Sequence, residues 1–328
     1  MRLRLLGATA VALTLLVAGC GDNGGDDTGA AAATRTFSAD NGEITIPVDP
    51  KRVVATGYAV PALIEADAAL VGISTWERGL KMMTPEDLAT YEKLTKIAGE
   101  QAAETNYEAI AAAKPDLIVI GVPKPALADV DMERLKSIAP VVAIGPTVPS
   151  AWRTLSQKQS DAAGRTSTFE AAKKAYDDKA AELKAKYATA LSGLKFGHLG
   201  AYGEAAKGTF QREFAGSWGT TIAGDLGVTY YGEVKVKGGG SKDVSEYPAM
   251  EEIPASFAEA DAITYTLETD GKPGPEVQAV LNSPLWKNLP AVKAGKIYGL
   301  QYTEAATYPS ATQTLDAVDK ALAPLLAK

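Results

Sequence analysis

Aromatic rings and two arginines stand at the ends of the apolar runs of this chain. Tyr58 follows the run Val53–Thr56, and Trp76 with Arg78 follows Leu70–Ile73. Farther on, Phe210, Arg212, Phe214 and Trp218 flank the run at Thr209–Phe210, and Tyr302 and Tyr308 follow Ile297–Gln301. Such rings pack apolar surface while offering O–H or N–H donors, and a guanidinium fork bonds paired oxygens. The set suits a bulky ligand with an apolar skirt and an oxygen-rich centre. In open α/β sheets ligands lie beyond the carboxyl ends of strands, so these positions are candidates for the wall of one cleft.

Other chemistries find little to work with. The segment Gly203-Glu204-Ala205-Ala206-Lys207-Gly208-Thr209 resembles a phosphate loop, but its lysine precedes the second glycine and cannot reach the β- and γ-phosphates. No Gly-x-Ser-x-Gly elbow occurs, and the single histidine, His198, lies in an apolar run where a hydrogen-bonded core role is expected. One histidine and one cysteine leave no basis for a transition-metal site or an internal disulfide. A net charge of −7 with no basic run argues against nucleic acid. No catalytic activity and no cofactor of its own are expected.

The elements that must position the candidate wall are legible from periodicity. Residues 150–194 lack any strand signal, and Phe169, Ala172, Tyr176, Ala180, Leu183, Tyr187 and Leu191 recur every three or four positions. That pattern predicts one amphipathic helix of about six turns, with Ser167 and Glu170 as a capping box. A shorter helical run, Ala151–Ala163, leads into it and stops at Gly164. On either side, β-branched runs alternate with helical ones: Glu43–Val48, Val53–Thr56, Leu70–Ile73, Leu117–Ile120 and Val141–Ile144 before it, and Phe196–Gly200, Thr209–Phe210, Asp261–Tyr265 and Ile297–Gln301 after it. Helices are expected at Met250–Ala260 and after a Ser310 cap. Alternation of this kind gives α/β lobes with parallel sheets. The expected architecture is two Rossmann-like lobes, 37–149 and 195–328, joined by the backbone helix of 150–194, with the ligand between them.

The first residues are of another kind. Met1–Arg4 is basic, Leu5–Val17 is apolar but too short for a permanent span, and Leu16-Val17-Ala18-Gly19-Cys20 resembles the lipobox of bacterial lipoproteins. The resemblance implies a signal peptide, 1–19, cleavage before Cys20, and a lipid thioether on its sulfur. Residues 20–36, rich in glycine, alanine and aspartate, then read as a tether on the outer face of the cell membrane.

Four motifs stand in a telling order: Pro50-Lys51-Arg52-Val53-Val54; Glu108 through Lys114-Pro115-Asp116-Leu117-Ile118; Ile138-Ala139-Pro140-Val141-Val142; and Pro284 through Gly295-Lys296-Ile297-Tyr298. Over roughly residues 40–328 this resembles the substrate-binding proteins of iron-siderophore and cobalamin importers, the class III type. The resemblance implies a monomer that carries a ferric siderophore to an ABC permease driven by a cytoplasmic ATPase. Iron would then be bound only inside the siderophore. A hydroxamate chelate of the ferrioxamine type fits the aromatic set; a triscatecholate, with about three negative charges, calls for a basic pocket that this chain lacks. Haem and cobalamin are alternatives of the same fold, and a chelate-processing enzyme is an alternative of another class. The family's permease-docking glutamates correspond to Glu108 in the first lobe and to Glu251 or Glu252 in the second.

Overall fold

The computed structural model describes residues 33–327. The leader and the lipidation position Cys20 lie outside the described residues. The first element is a hairpin, β1 (Thr34–Ala39) with β2 (Gly42–Pro47), in register from Thr34↔Pro47 to Ala39↔Gly42. Residues 34–36, read from sequence as tether, are therefore strand. Phe37 and Ile46 anchor the hairpin in the core of the first lobe, and the alternating threonines suit a half-buried pleat.

The first lobe is built on β3 (Val53–Gly57), β4 (Leu70–Ser74), β5 (Lys96–Ala98), β6 (Leu117–Gly121) and β7 (Val141–Ala143). Their order in the sheet is β5-β4-β3-β6-β7, with every pairing parallel. Strands sandwiched between helices must be apolar on both faces, and Val53, Val54, Leu117, Ile118 and Val119 are wholly buried. The Lys-Pro-Asp turn has a structural task here. Lys114 takes a positive φ of 48°, and Asp116 accepts the backbone N–H groups of Lys51 and Arg52 at 2.7 and 2.9 Å. It thereby fixes where β3 and β6 start.

The second lobe contains β8 (Phe196–Gly200), β9 (Gln211–Glu213), β10 (Ser245–Glu246), β11 (Ala262–Thr266) and β12 (Ile297–Leu300), in the order β10-β9-β8-β11-β12. Strands β8, β11 and β12 are parallel; β9 runs antiparallel to β8, and β10, antiparallel to β9, returns to the direction of β8. Asp261 repeats the device of the first lobe, accepting the N–H of Lys195 at 2.9 Å just before β8.

Two helices connect the lobes. The helix Trp152–Ala162 contributes Leu155 and Ala162 to the core of the first lobe. The long helix Thr166–Tyr187 buries Phe169, Tyr176, Ala180, Leu183 and Tyr187, the stripe predicted from periodicity, in one core with the closing helix Tyr308–Leu322. Gly164, at φ 69°, ends the first helix as expected. The capping box is not formed: the long helix already begins at Thr166, so Ser167 lies inside its first turn. Three other boundaries move. The closing helix is capped one turn earlier, by Thr307, which accepts the N–H of Ser310. The strand expected at Thr209–Phe210 falls at Gln211–Glu213, because Thr209 forms only an isolated bridge with Ala249. The helix expected over Met250–Ala260 is a 3-10 turn at Met250–Glu252 and one short helix at Ile253–Ser256.

Candidate functional site

The carboxyl ends of the parallel strands of both lobes face one another across a cleft. The chain leaving β3 supplies Tyr58, Pro61 and Glu65; the chain leaving β4 supplies Trp76, Arg78 and Met82; the chain leaving β5 supplies Glu100. From the other side come Tyr202, which follows β8, Trp218 at the start of the helix Trp218–Asp225, and Glu304 with Thr307 after β12. They enclose a cavity of about 300 Å³. A second compartment of about 270 Å³ shares Arg78, Met82 and Glu304 with the first and is closed by Thr266–Thr269 and by Tyr302.

The aromatic wall is set by local packing. Tyr58 and Trp76 meet edge to face, centroids 4.7 Å apart at 67°. The Arg78 guanidinium lies 5.3 Å from the Trp76 ring centroid and pairs with Glu100. Tyr91 accepts the Trp76 backbone N–H at 3.0 Å, and the indole covers Gly79 so closely that a Cβ there would lie 2.1 Å from Nε1. Burial raises the Tyr58 hydroxyl above the ordinary tyrosine value, so the ring presents a donor. Two hydrogen bonds cross between the lobes beside the cavity: Thr307 Oγ1 donates to Glu65 at 2.7 Å, and Gln313 donates to the Met82 carbonyl at 2.9 Å. Burial holds Glu65 well above the usual carboxylate range, with the Thr307 bond opposing only in part. Glu304 is raised as well, again by burial, against the nearby Arg78 charge.

The structure thus brings together Tyr58, Trp76, Arg78 and Trp218 of the residues singled out in the sequence, and places Tyr302 in the adjoining compartment. The others lie elsewhere, and each has a physical reason. Because β9 runs antiparallel to β8, its carboxyl end points away from the cleft. Phe210 stacks on Phe257 in the core of the second lobe, and Phe214 is buried beside Arg212. Arg212, only 2% exposed, donates to the carbonyls of His198, Glu213, Tyr231 and Ser256. Tyr308 heads the closing helix, but its ring enters an aromatic cluster with Trp152, Phe169 and Tyr176 beneath the long helix. Sequence reasoning missed Tyr202 and Glu304. Both follow parallel strands at their carboxyl ends, the same signal that picked out Tyr58 and Trp76.

Beneath the second lobe's wall lies a buried polar cluster. His198 bonds Thr264 at 2.7 Å and Thr266 at 3.1 Å, and Glu213 accepts the Gly219 N–H at 2.7 Å. The two titratable groups stand 3.6 Å apart. Burial, with the Arg212 charge, pushes His198 down to about 3; burial pushes Glu213 up to about 7, against the Gly219 and Ser217 bonds and Arg212. Both are therefore neutral over much of the acid range, as a dry interior demands.

The three glutamates expected from the sequence to dock a permease, Glu108, Glu251 and Glu252, are exposed. Glu108 pairs with Arg134, and Glu252 lies 4.0 Å from Lys235. Glu108 opens the helix Tyr107–Ala112 and precedes β6. A helix feeding a parallel strand runs back along it, so it starts on the cleft side; Glu251 and Glu252 hold the same position before β11.

Against known proteins, a 26% identical relative over 304 residues is the iron(3+)-hydroxamate-binding protein YxeB of Bacillus subtilis, with 90% of this chain and 88% of the relative covered. The iron(3+)-hydroxamate-binding protein FhuD of the same organism is 28% identical over 306 residues, covering 89% of each. Among solved structures, the siderophore periplasmic binding protein from the fuscachelin gene cluster of Thermobifida fusca superposes with a TM-score of 0.68 at 28% identity, covering 84% of this chain and 97% of that one. The family model described as periplasmic binding protein matches residues 55–303. With two α/β lobes, a helical connection and a cleft at the strand ends, the chain belongs to the periplasmic binding protein family.

Proposed function

We propose that this protein captures a ferric siderophore, of the hydroxamate type, in the cleft and hands it to an ABC permease for iron uptake. It is a binding protein and not an enzyme. The observation that carries the ligand class is the wall itself: Tyr58, Trp76 and Trp218 offer rings and donors, and Arg78 offers a single guanidinium. A hydroxamate complex brings iron already wrapped in oxygens, so the rings pack its skirt and the donors meet its outer oxygens. The hydroxamate-binding names of two relatives support the same reading. A triscatecholate would place about three negative charges against a wall whose carboxylates outnumber its one arginine. Lipid anchoring through Cys20 and docking through Glu108 with Glu251 or Glu252 complete the proposal.

The test is a tryptophan-fluorescence titration of residues 21–328 with a linear and a cyclic ferric trihydroxamate, a ferric triscatecholate, haem, cobalamin and free ferric ion. Tight quenching by the trihydroxamates alone is expected. Saturation by haem or cobalamin would replace the ligand and keep the transport role; no response to any of them would remove the reading.

A further inference from the structure

The cleft is acidic, and its acids are unequally occupied. Glu65, Glu100 and Glu304 face Arg78 around the first compartment. Arg78 is already paired with Glu100. Glu65 accepts the Thr307 hydroxyl at 2.7 Å. Glu304 alone has neither an ion pair nor a side-chain hydrogen bond among the described residues, although it is half-buried and stands on the border shared by both compartments. A carboxylate withdrawn from water without a partner is costly, and a cation placed beside it recovers that cost.

Resting on the siderophore reading above, we infer that the cleft selects ferric hydroxamates bearing a protonated amine, with Glu304 as the residue that receives it. The two compartments give such a molecule its shape. The iron centre lies against Tyr58, Trp76 and Trp218, and an aliphatic arm passes Met82 into the second compartment. The compartment carries Glu77, Glu268 and Glu304 against Lys81 and Arg78, and Arg78 is already paired with Glu100, so the arm meets negative potential along its path. A neutral chelate of the same size would desolvate Glu304 further and return nothing for it. A chelate ending in a carboxylate would meet like charge. The other acids cannot substitute: Glu100 serves Arg78, and Glu65 is bonded to the Thr307 hydroxyl.

The experiment compares three forms of one linear ferric trihydroxamate on the folded chain: the terminal amine free, acetylated, and succinylated to a carboxylate. Affinity should fall in that order, by about tenfold for the first step, since one half-buried charge pair is at stake. Glu304→Gln should reduce the first step to about threefold or less, while the exposed Glu268→Gln leaves most of it in place. Equal affinity for the three forms in the unsubstituted protein would overturn the inference and leave the siderophore reading standing. Discrimination that survives Glu304→Gln, in a variant whose melting curve shows it folded, would overturn the assignment to Glu304. If none of the three forms binds, the siderophore reading falls and this inference with it.

Discussion

The two lobes share one plan and fill it differently. In each, an aspartate at the foot of a strand gathers the backbone N–H of a neighbour: Asp116 in the first, Asp261 in the second. The first lobe then builds an all-parallel sheet of apolar strands. The second turns one strand, β9, around and buries Arg212, Glu213 and His198 beside that reversal. Strand direction decides which side chains reach the ligand. Residues after parallel strands look into the cleft; Phe210, Arg212 and Phe214, on and beside the reversed strand β9, look into the protein, and Trp218 reaches the cleft from the helix that follows. Two arginines that read alike in sequence thus have different work. Arg78 faces the cavity, and Arg212 ties four carbonyls together inside the lobe.

The largest effect should come from breaking that internal tie. Arg212→Ala strands the buried carbonyls of His198, Glu213, Tyr231 and Ser256, at about 3–5 kcal/mol of stability. Denaturant unfolding checks this. A variant of full stability that no longer binds ligand would instead return Arg212 to the cleft.

Next comes the pH response of the buried pair. Glu213 titrates near 7 when folded and near 4.5 when unfolded, so its share of stability is present below 4.5 and lost as pH rises through about 7. His198 does the reverse: its share is present above 6.5 and lost as pH falls toward about 3. The slopes oppose one another between 4.5 and 6.5. In Glu213→Gln the histidine slope stands alone, so going from pH 6.5 to 4.5 should cost the variant about 2 kcal/mol more than the unsubstituted protein. Unfolding curves at three pH values in this window decide it, and parallel behaviour of the two proteins would dismiss the pair as a titrating unit.

A smaller effect separates cleft from core among the aromatics. Trp218→Ala should weaken trihydroxamate binding by about 1–2 kcal/mol, roughly fivefold to thirtyfold, whereas Phe214→Leu should leave affinity unchanged. Isothermal titration measures both, and the reverse ranking would contradict the division of these rings between cleft and core. The least change in the isolated protein belongs to Glu108→Lys. As an exposed helix residue it should alter stability by less than about 0.5 kcal/mol and leave ligand affinity alone. Radiolabelled iron uptake by cells carrying the variant should nevertheless fall, and uptake at the original rate would remove Glu108 from the docking surface.

Much of this was legible in the residues themselves. The stripe from Phe169 to Tyr187 announced the long helix, and the β-branched runs announced the parallel strands, because burial on one or both faces leaves a periodic trace. Tyr58, Trp76 and Arg78 were found by their place after such runs. Arg212 and Phe214 were misplaced because a short run does not disclose its direction, and direction inverts which end faces the ligand; Phe210, at the cleft end of β9, was misplaced because its ring turns onto Phe257 in the core. Tyr308 was misplaced because the helix begins at Thr307, a turn earlier than Ser310 suggested, which aims its ring beneath the long helix. Glu304 follows a parallel strand as Tyr58 and Trp76 do, but a search for aromatic and cationic side chains passes over a carboxylate.

The most direct measurement is the position of iron. Crystals grown with a linear ferric trihydroxamate, measured across the iron absorption edge, should show one anomalous peak in the cavity between Tyr58, Trp76 and Arg78 on one side and Trp218 on the other. Iron at another surface, or coordinated by side chains of the protein, would contradict the account.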